Sequence, residues 1–216
     1  MGVDDPFPPR SGASAEEERA AWEELVESMG PASLLVVIES RMSPELRRRL
    51  SPEDVLQEAL LHAWRDRARC EWRGVAAYRA WFLTVIDNRL RDAGKREGAA
   101  RRDARREVSF EPRPGSEASR AEGELPELAL TSTPLRRALV RERAEVMKAA
   151  LAALPGELRE VVRLRVFEER CTEDVARELG IGLSAAKHRF RKGAALYRER
   201  LQHEWATRSG AREGKA

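Results

Sequence analysis

Histidine and cysteine are scarce in this chain, three and two in 216 residues. Cys70 and Cys171 have no second cysteine or histidine at ligand spacing, so a zinc site is not expected, and both read as free, buried or half-buried thiols. His62 and His188 are too isolated for catalysis; His62 reads as a surface residue of its helix. No glycine-rich phosphate loop, no Ser/His/Asp constellation and no metal-ligand cluster occurs, so neither an enzyme nor a cofactor nor a metal is expected. No apolar run is long enough to span a bilayer, and the first residues lack the basic start and apolar stretch of a signal peptide. The expectation is therefore a cytoplasmic protein with no membrane contact. Alternating apolar patterns are missing and β-branched residues are few, which points to an all-α fold. Net charge is also nearly absent: 40 Lys and Arg face 37 Asp and Glu, leaving a formal +3. Local charge, not the total, must then carry any attraction for nucleic acid.

What is present is concentrated near the C-terminus. Thr172 opens a short helix in which Val175, Ala176 and Leu179 recur at helical spacing. Gly180 stands where that helix must stop and reverse, a place for positive φ. Ile181 follows as the buried turn residue, and a second helix starts at Leu183. A small residue, a glycine and a buried aliphatic at these offsets mark a DNA-reading helix-turn-helix. On the second helix, Leu183, Ala186, Phe190, Ala194, Tyr197 and Leu201 form one apolar stripe. The other side carries Ser184, Lys187, His188, Arg191 and Lys192. Between Gly180 and Gln202, Lys187, Arg189, Arg191, Lys192, Arg198 and Arg200 are opposed by Glu199 alone.

Organisation along the chain is bipartite. Residues 1–14 read as disordered, residues 15–96 as one helical domain, 97–133 as a flexible linker, 134–205 as a second helical domain and 206–216 as a frayed tail. In the first domain, helices are expected over Ala15 to Ser28, Ala32 to Met42, Ser51 to Asp66, and from Val75 to about Lys95. Leu34 to Ile38 is the most hydrophobic run and suits a central core helix. Ser51-Pro52-Glu53-Asp54 puts an N-cap, a first-turn proline and first-turn acids in order. The linker's alanine-arginine start is also able to extend the helix before it; as a coil, the whole segment would span roughly 30–35 Å on average. Two domains on a tether are expected.

Two segments decide the family. They are Ser51-Pro52-Glu53-Asp54-Val55-Leu56-Gln57-Glu58-Ala59-Leu60-Leu61-His62-Ala63-Trp64 and Tyr78-Arg79-Ala80-Trp81-Phe82-Leu83 with Asn88. They resemble region 2 of the extracytoplasmic-function sigma factors of the sigma-70 family. Residues from about Glu145 to Leu201 resemble region 4, including the Leu-Pro-x-x-x-Arg-Glu-Val motif at Leu154 to Val161. The resemblance implies a region 2 bundle and a region 4 helix-turn-helix joined by a linker. It further implies a sigma factor that binds core RNA polymerase, directs it to promoters and melts the minus-ten element.

By that resemblance, Glu53, Asp54, Gln57 and Glu58 dock on the clamp coiled coil of the largest polymerase subunit, and region 4 meets the flap of the second-largest. Glu53 and Asp54 serve equally as first-turn and capping residues. Minus-ten contacts fall on Arg69, Trp72, Arg73, Tyr78, Arg79, Trp81, Asn88, Arg89 and Arg91, with Phe82 and Trp64 assigned to packing. Aromatic faces suit an unstacked base and arginines suit phosphates. Minus-thirty-five contacts fall on Ser184, Lys187, His188, Arg189, Arg191 and Lys192, with Ser184 and Arg189 on the backbone. An anti-sigma protein is a common further partner in that family. This chain departs from the family pattern in three places. Asp87 stands where a basic residue is usual, and is expected to face away, pair with Arg91 or alter base preference. Ala185-Ala186 replaces a Thr-Val pair, which bears on minus-thirty-five specificity. Gly182 replaces a serine cap. The competing readings are a stand-alone helix-turn-helix regulator and a polymerase-binding decoy.

Overall fold

The computed structural model describes residues 13–67, 70–106 and 133–213, and every regular element among them is helical. Local chemistry places the helix starts. Ser14 caps α1 (Ala15–Ser28) in a reciprocal box with Glu17, whose carboxyl is held below its usual range by the Ser14 backbone and side-chain hydrogen bonds. Gly30, at φ +72°, turns the chain into α2 (Pro31–Arg41). A single turn, α3 (Pro44–Arg47), leads to α4 (Pro52–Arg65). There the Ser51 hydroxyl accepts the Asp54 amide at 3.1 Å, and the Asp54 carboxylate accepts the Ser51 amide at 3.3 Å. Helix α5 (Val75–Arg106) then runs antiparallel to α4 and packs along it. Trp22, Leu25, Leu34, Leu60, Phe82 and Ile86 are buried together at the centre of this bundle. Phe82 is thus core, as expected, and Trp64 is half-buried against it.

The second half contains α6 (Pro134–Ala152), α7 (Gly156–Val162), one π-helical turn (Arg163–Phe167), α8 (Thr172–Glu178) and α9 (Leu183–Glu213). Gly180, at φ +62°, closes α8. The Ile181 amide reaches the Ala176 carbonyl at 3.0 Å and the Gly180 amide reaches the Arg177 carbonyl at 3.3 Å, the paired bonds of a glycine-terminated helix. Val161, Leu164 and Val175, with Leu179, Ile181 and Phe190 against them, form a small core that joins α7 and the π-helical turn to the helix-turn-helix.

The two helical halves stand as expected, and they also share a core, because Ala144, Ala150, Leu151, Leu154, Val162 and Phe167 join the cluster that contains Trp22 and Phe82. The reason lies in α2, whose Leu34–Ile38 run is apolar all round and buried at every position. Helices α4 and α5 cover part of it, and α6 covers the rest. Helix α5 runs through residue 97, the expected linker start, to Arg106, the extension that the alanine-arginine start of that segment allows. Residues 107–132 lie outside the described residues, as do 1–12. Two expectations are corrected. One is the tail, where α9 continues to Glu213, with Leu201, Glu204, Trp205 and Arg208 half-buried along it. The other is Cys171, which is exposed and caps α8 by accepting the Asp174 amide at 3.4 Å; Cys70 is half-buried as expected.

Candidate promoter and polymerase interfaces

The clearest surface is on α9. Ser184, Lys187, His188, Arg191 and Lys192 are all exposed, spaced three, one, three and one apart, and so share one face of the first three turns. Ala186 on the opposite side is fully buried, and Tyr197 is buried further along, its hydroxyl pushed up to about 12 by burial. Of the Ala185-Ala186 pair, only Ala185 is exposed. A change of specificity from that pair would therefore come through Ala185. Arg189 is half-buried and pairs with Glu157 of α7 at 3.1 Å. Leu183, placed on the apolar stripe, is 40% exposed because it sits at the helix start.

Pattern reading missed one residue that shapes this face. Gly193 is buried, and a β-carbon there would meet Val162 at 2.7 Å and the Leu158 carbonyl at 3.3 Å. It lets α9 approach α7 closely. A glycine inside a long helix, on the side facing its neighbour, was the available signal.

The minus-ten candidates fall into two groups. Trp72, Tyr78 and Trp81 form an aromatic patch of mutually tilted rings: Tyr78 lies 5.9 Å from Trp72 and 5.0 Å from Trp81 between ring centroids. Trp22 and Trp64 extend it inward, and Arg67 lies over Trp64 at 3.8 Å. Trp72 and Trp81 are half-buried, whereas Tyr78 is buried, and burial raises its hydroxyl pKa. Arg73, Asn88 and Arg91 are exposed, and Asn88 Oδ1 accepts from Arg91 at 2.8 Å. Arg89 is half-buried between His62 Nε2 at 2.9 Å, Glu58 at 3.7 Å and Asp92 at 3.3 Å. His62 is itself half-buried, and burial, then the Arg89 charge, lowers its pKa. Arg69 lies outside the described residues.

Arg79 is placed differently. Only 3% exposed, it donates through Nε to the Met29 carbonyl at 3.0 Å and through Nη2 to Ser33 Oγ at 3.0 Å and the Phe167 carbonyl at 2.7 Å. Its Nη1 meets Glu169 at 3.1 Å. Burial lowers its pKa, opposed by Glu169 and Glu168. Asp87 does not pair with Arg91: it accepts from Arg41 Nη1 at 2.7 Å. Arg41 Nη2 in turn reaches Glu168 at 2.7 Å. The Glu168 carboxylate, 2% exposed, is also bound by Arg163 and Arg170. Glu169 beside it is the only non-glycine residue at positive φ (+55°) among those described, a conformation that costs of order 1–3 kcal/mol.

The polymerase-docking candidates line one side of α4. Gln57 is exposed, Asp54 is committed to its cap, Glu58 pairs with Arg89 and Arg96, and Glu53 meets Arg141 of α6 at 3.5 Å. Among the described residues no group of three or more His, Cys, Asp or Glu could hold a metal, and no helix is long and apolar enough to cross a membrane.

Two family models match the chain with these surfaces in place: Sigma-70 region 2 over residues 34–106 and Sigma-70, region 4 over residues 144–195. The chain belongs to the sigma-70 family and is a sigma factor that directs RNA polymerase to promoters. A solved structure, that of the sigma factor RpoE in complex with the anti-sigma factor NepR from Bartonella quintana, is similar at 16% identity and a TM-score of 0.37, over 87% of this chain and 98% of that one. A sequence search of curated proteins found no match.

Proposed function

We propose that α9 reads the minus-thirty-five element through Lys187, His188, Arg191 and Lys192, with Ser184 and Arg189 on the phosphate backbone. The observation that carries this reading is the exposed polar face just after the Gly180 turn, the geometry of a recognition helix in a major groove. On the other surface, Trp72 and Trp81 offer half-exposed ring faces to an unstacked base, with Asn88 beside them. Tyr78 backs this patch. Arg73, Arg79, Arg89 and Arg91, together with Arg69, hold the strand by its phosphates. Stacking contributes about 1–3 kcal/mol per base, comparable with the few kcal/mol needed to extrude one, so capture of the opened strand drives melting without nucleotide hydrolysis.

Glu53, Gln57 and Glu58 present carboxylates and an amide to arginines of the largest-subunit clamp coiled coil, an orienting contact, with Asp54 fixing the start of that helix. The second-largest subunit's flap receives region 4. The working units are 15–96 and 134–205, in the cytoplasm, acting by binding and not by catalysis. An anti-sigma protein belongs to the same reading as a further partner, supported by the family alone.

Run-off transcription with purified core polymerase on fragments of the source genome tests the proposal. Transcripts that depend on the protein are expected, and Lys187→Ala and Arg191→Ala should weaken them while leaving pull-down of core polymerase unchanged. A parallel loss of core binding would overturn the α9 assignment.

A further inference from the structure

An arginine is a one-way partner, because its guanidinium stays protonated and only donates. Arg89 of α5 brings Nη1 to 2.9 Å from His62 Nε2 on α4. The proton in that contact must be the arginine's, so His62 Nε2 offers a bare lone pair and the imidazole is neutral. The acids around Arg89 stand further off, Asp92 at 3.3 Å and Glu58 at 3.7 Å, and Glu58 is shared with Arg96 at 3.6 Å. The Arg89 Nε is buried with no hydrogen-bond acceptor among the described residues. The cation is thus held most closely by a neutral ring, and its donors are incompletely satisfied.

We propose that His62 is a positioning residue for capture of the minus-ten strand: neutral, it holds Arg89 against α4, and protonated, it gives Arg89 up to a phosphate. Arg89 is one of the minus-ten arginines in the proposed function, on which this inference rests. It follows the exposed Asn88 directly on α5, one residue around the helix from the face that Asn88 shares with Arg91. A phosphate oxygen is an anion where His62 is neutral, so it makes the stronger, charge-assisted bond. The exchange is a swing of one long side chain from the ring to the strand.

That exchange is linked to a proton. In the held state burial, and then the Arg89 charge, lower the His62 pKa. The other charges acting on the ring come from its own helix: Glu58, four residues before, and Asp66, four residues after, favour the imidazolium, and Arg65 opposes it. Helix α2, which also packs along α4, contributes none of them, and Asp92 acts through Arg89. Once a phosphate draws Arg89 away, the ring loses both the cation and the donated bond, and it takes up a proton facing Glu58 and Asp66. By reciprocity, a proton on His62 strengthens strand capture. The held state is therefore favoured above the ordinary histidine value of about 6.5 and gives way as pH falls below it.

The test uses the protein bound to core polymerase and a fluorescent non-template minus-ten strand from a promoter mapped by run-off transcription. Anisotropy gives the affinity at two pH values, and wild type should bind about three- to fivefold more tightly at about pH 5.8 than at about pH 7.5. His62→Gln, which keeps a neutral acceptor, should flatten that difference. His62→Lys, charged throughout, should raise the affinity at the higher pH toward the acid value of wild type, a gain that should vanish when Arg89→Met is added. A flat wild-type profile, or one that His62→Gln leaves as steep, overturns the proposal. The free full chain supplies a second readout without DNA. The His62 imidazole resonance, assigned by its loss in His62→Gln, should titrate below the ordinary value and move up toward it in Arg89→Met. A resonance already at the ordinary value, or one that Arg89→Met leaves in place, overturns the proposal whatever the strand does. If the resonance behaves as expected but Arg89→Met binds the strand as tightly as wild type, the failure lies in the minus-ten reading of Arg89, and this inference falls with it.

Discussion

The two promoter-facing surfaces differ in how far their side chains are already committed. On α9 the polar face is exposed, and its one internal contact is a 3.5 Å approach of Arg191 to His188. In region 2 nearly every candidate has a protein partner: Arg73 with Glu71, Arg89 with His62 and acids, Arg91 with Asn88, Arg79 with region 4. One surface is presented and the other is assembled. A duplex read in its groove needs only a rigid helix with free donors. A strand that must be opened needs groups that exchange one set of partners for another as bases unstack.

The largest way to break this contrast is to remove the floor of the assembled surface. Trp22→Ala deletes the fully buried ring under Trp64 and Tyr78 and should cost about 3–5 kcal/mol, read as a lowered urea midpoint with strong loss of region 2 activity. Next comes Gly193→Val, which overpacks α9 against α7. A cost of about 1–3 kcal/mol is expected, with minus-thirty-five recognition failing before minus-ten function, as promoter variants with either element scrambled would reveal. Lys187→Ala should leave the melting temperature unchanged, weaken promoter binding, and reduce the slope of log affinity against log salt by about one. Asn88→Ala should impair opening more than closed-complex formation, and an unchanged permanganate footprint would count against its role.

The smallest effect concerns pH. The folded-state pKa of His62 is lowered, so the unfolded chain binds its proton more readily. Stability contributed by this residue is therefore present above the ordinary histidine value of about 6.5 and is lost as pH falls through the folded value. His62→Gln should flatten the stability profile in that acidic window, measured by urea denaturation at each pH.

Much of this was legible from residues alone. The Ser51 cap, the Gly180 turn and the α9 face are local, set by side chains within four positions of one another, and they appear where the pattern put them. Phe82 in the core follows from helical periodicity. The fate of Arg79, Asp87 and Arg41 was not legible, because Arg79 meets Phe167 88 positions away, Arg41 meets Glu168 127 positions away, and Asp87 meets Arg41 46 positions away. The charge pattern of one helix cannot announce a contact with another. Even so, the uninterrupted apolar run of α2 was a signal that this helix needed cover on a further side.

The π-helical turn at Arg163–Phe167 has a consequence for indels. A π-turn holds one residue more than the α-turn it replaces, and each residue in an α-helix advances the chain by about 100°. Deleting a single residue there would restore ordinary winding and swing α8 and α9 around the axis by more than a quarter turn. The DNA-reading face would then no longer point where it does now. Single-residue changes of length should thus be poorly tolerated between 163 and 167, and the extra residue acts as a rotational shim that sets the phase of everything after it.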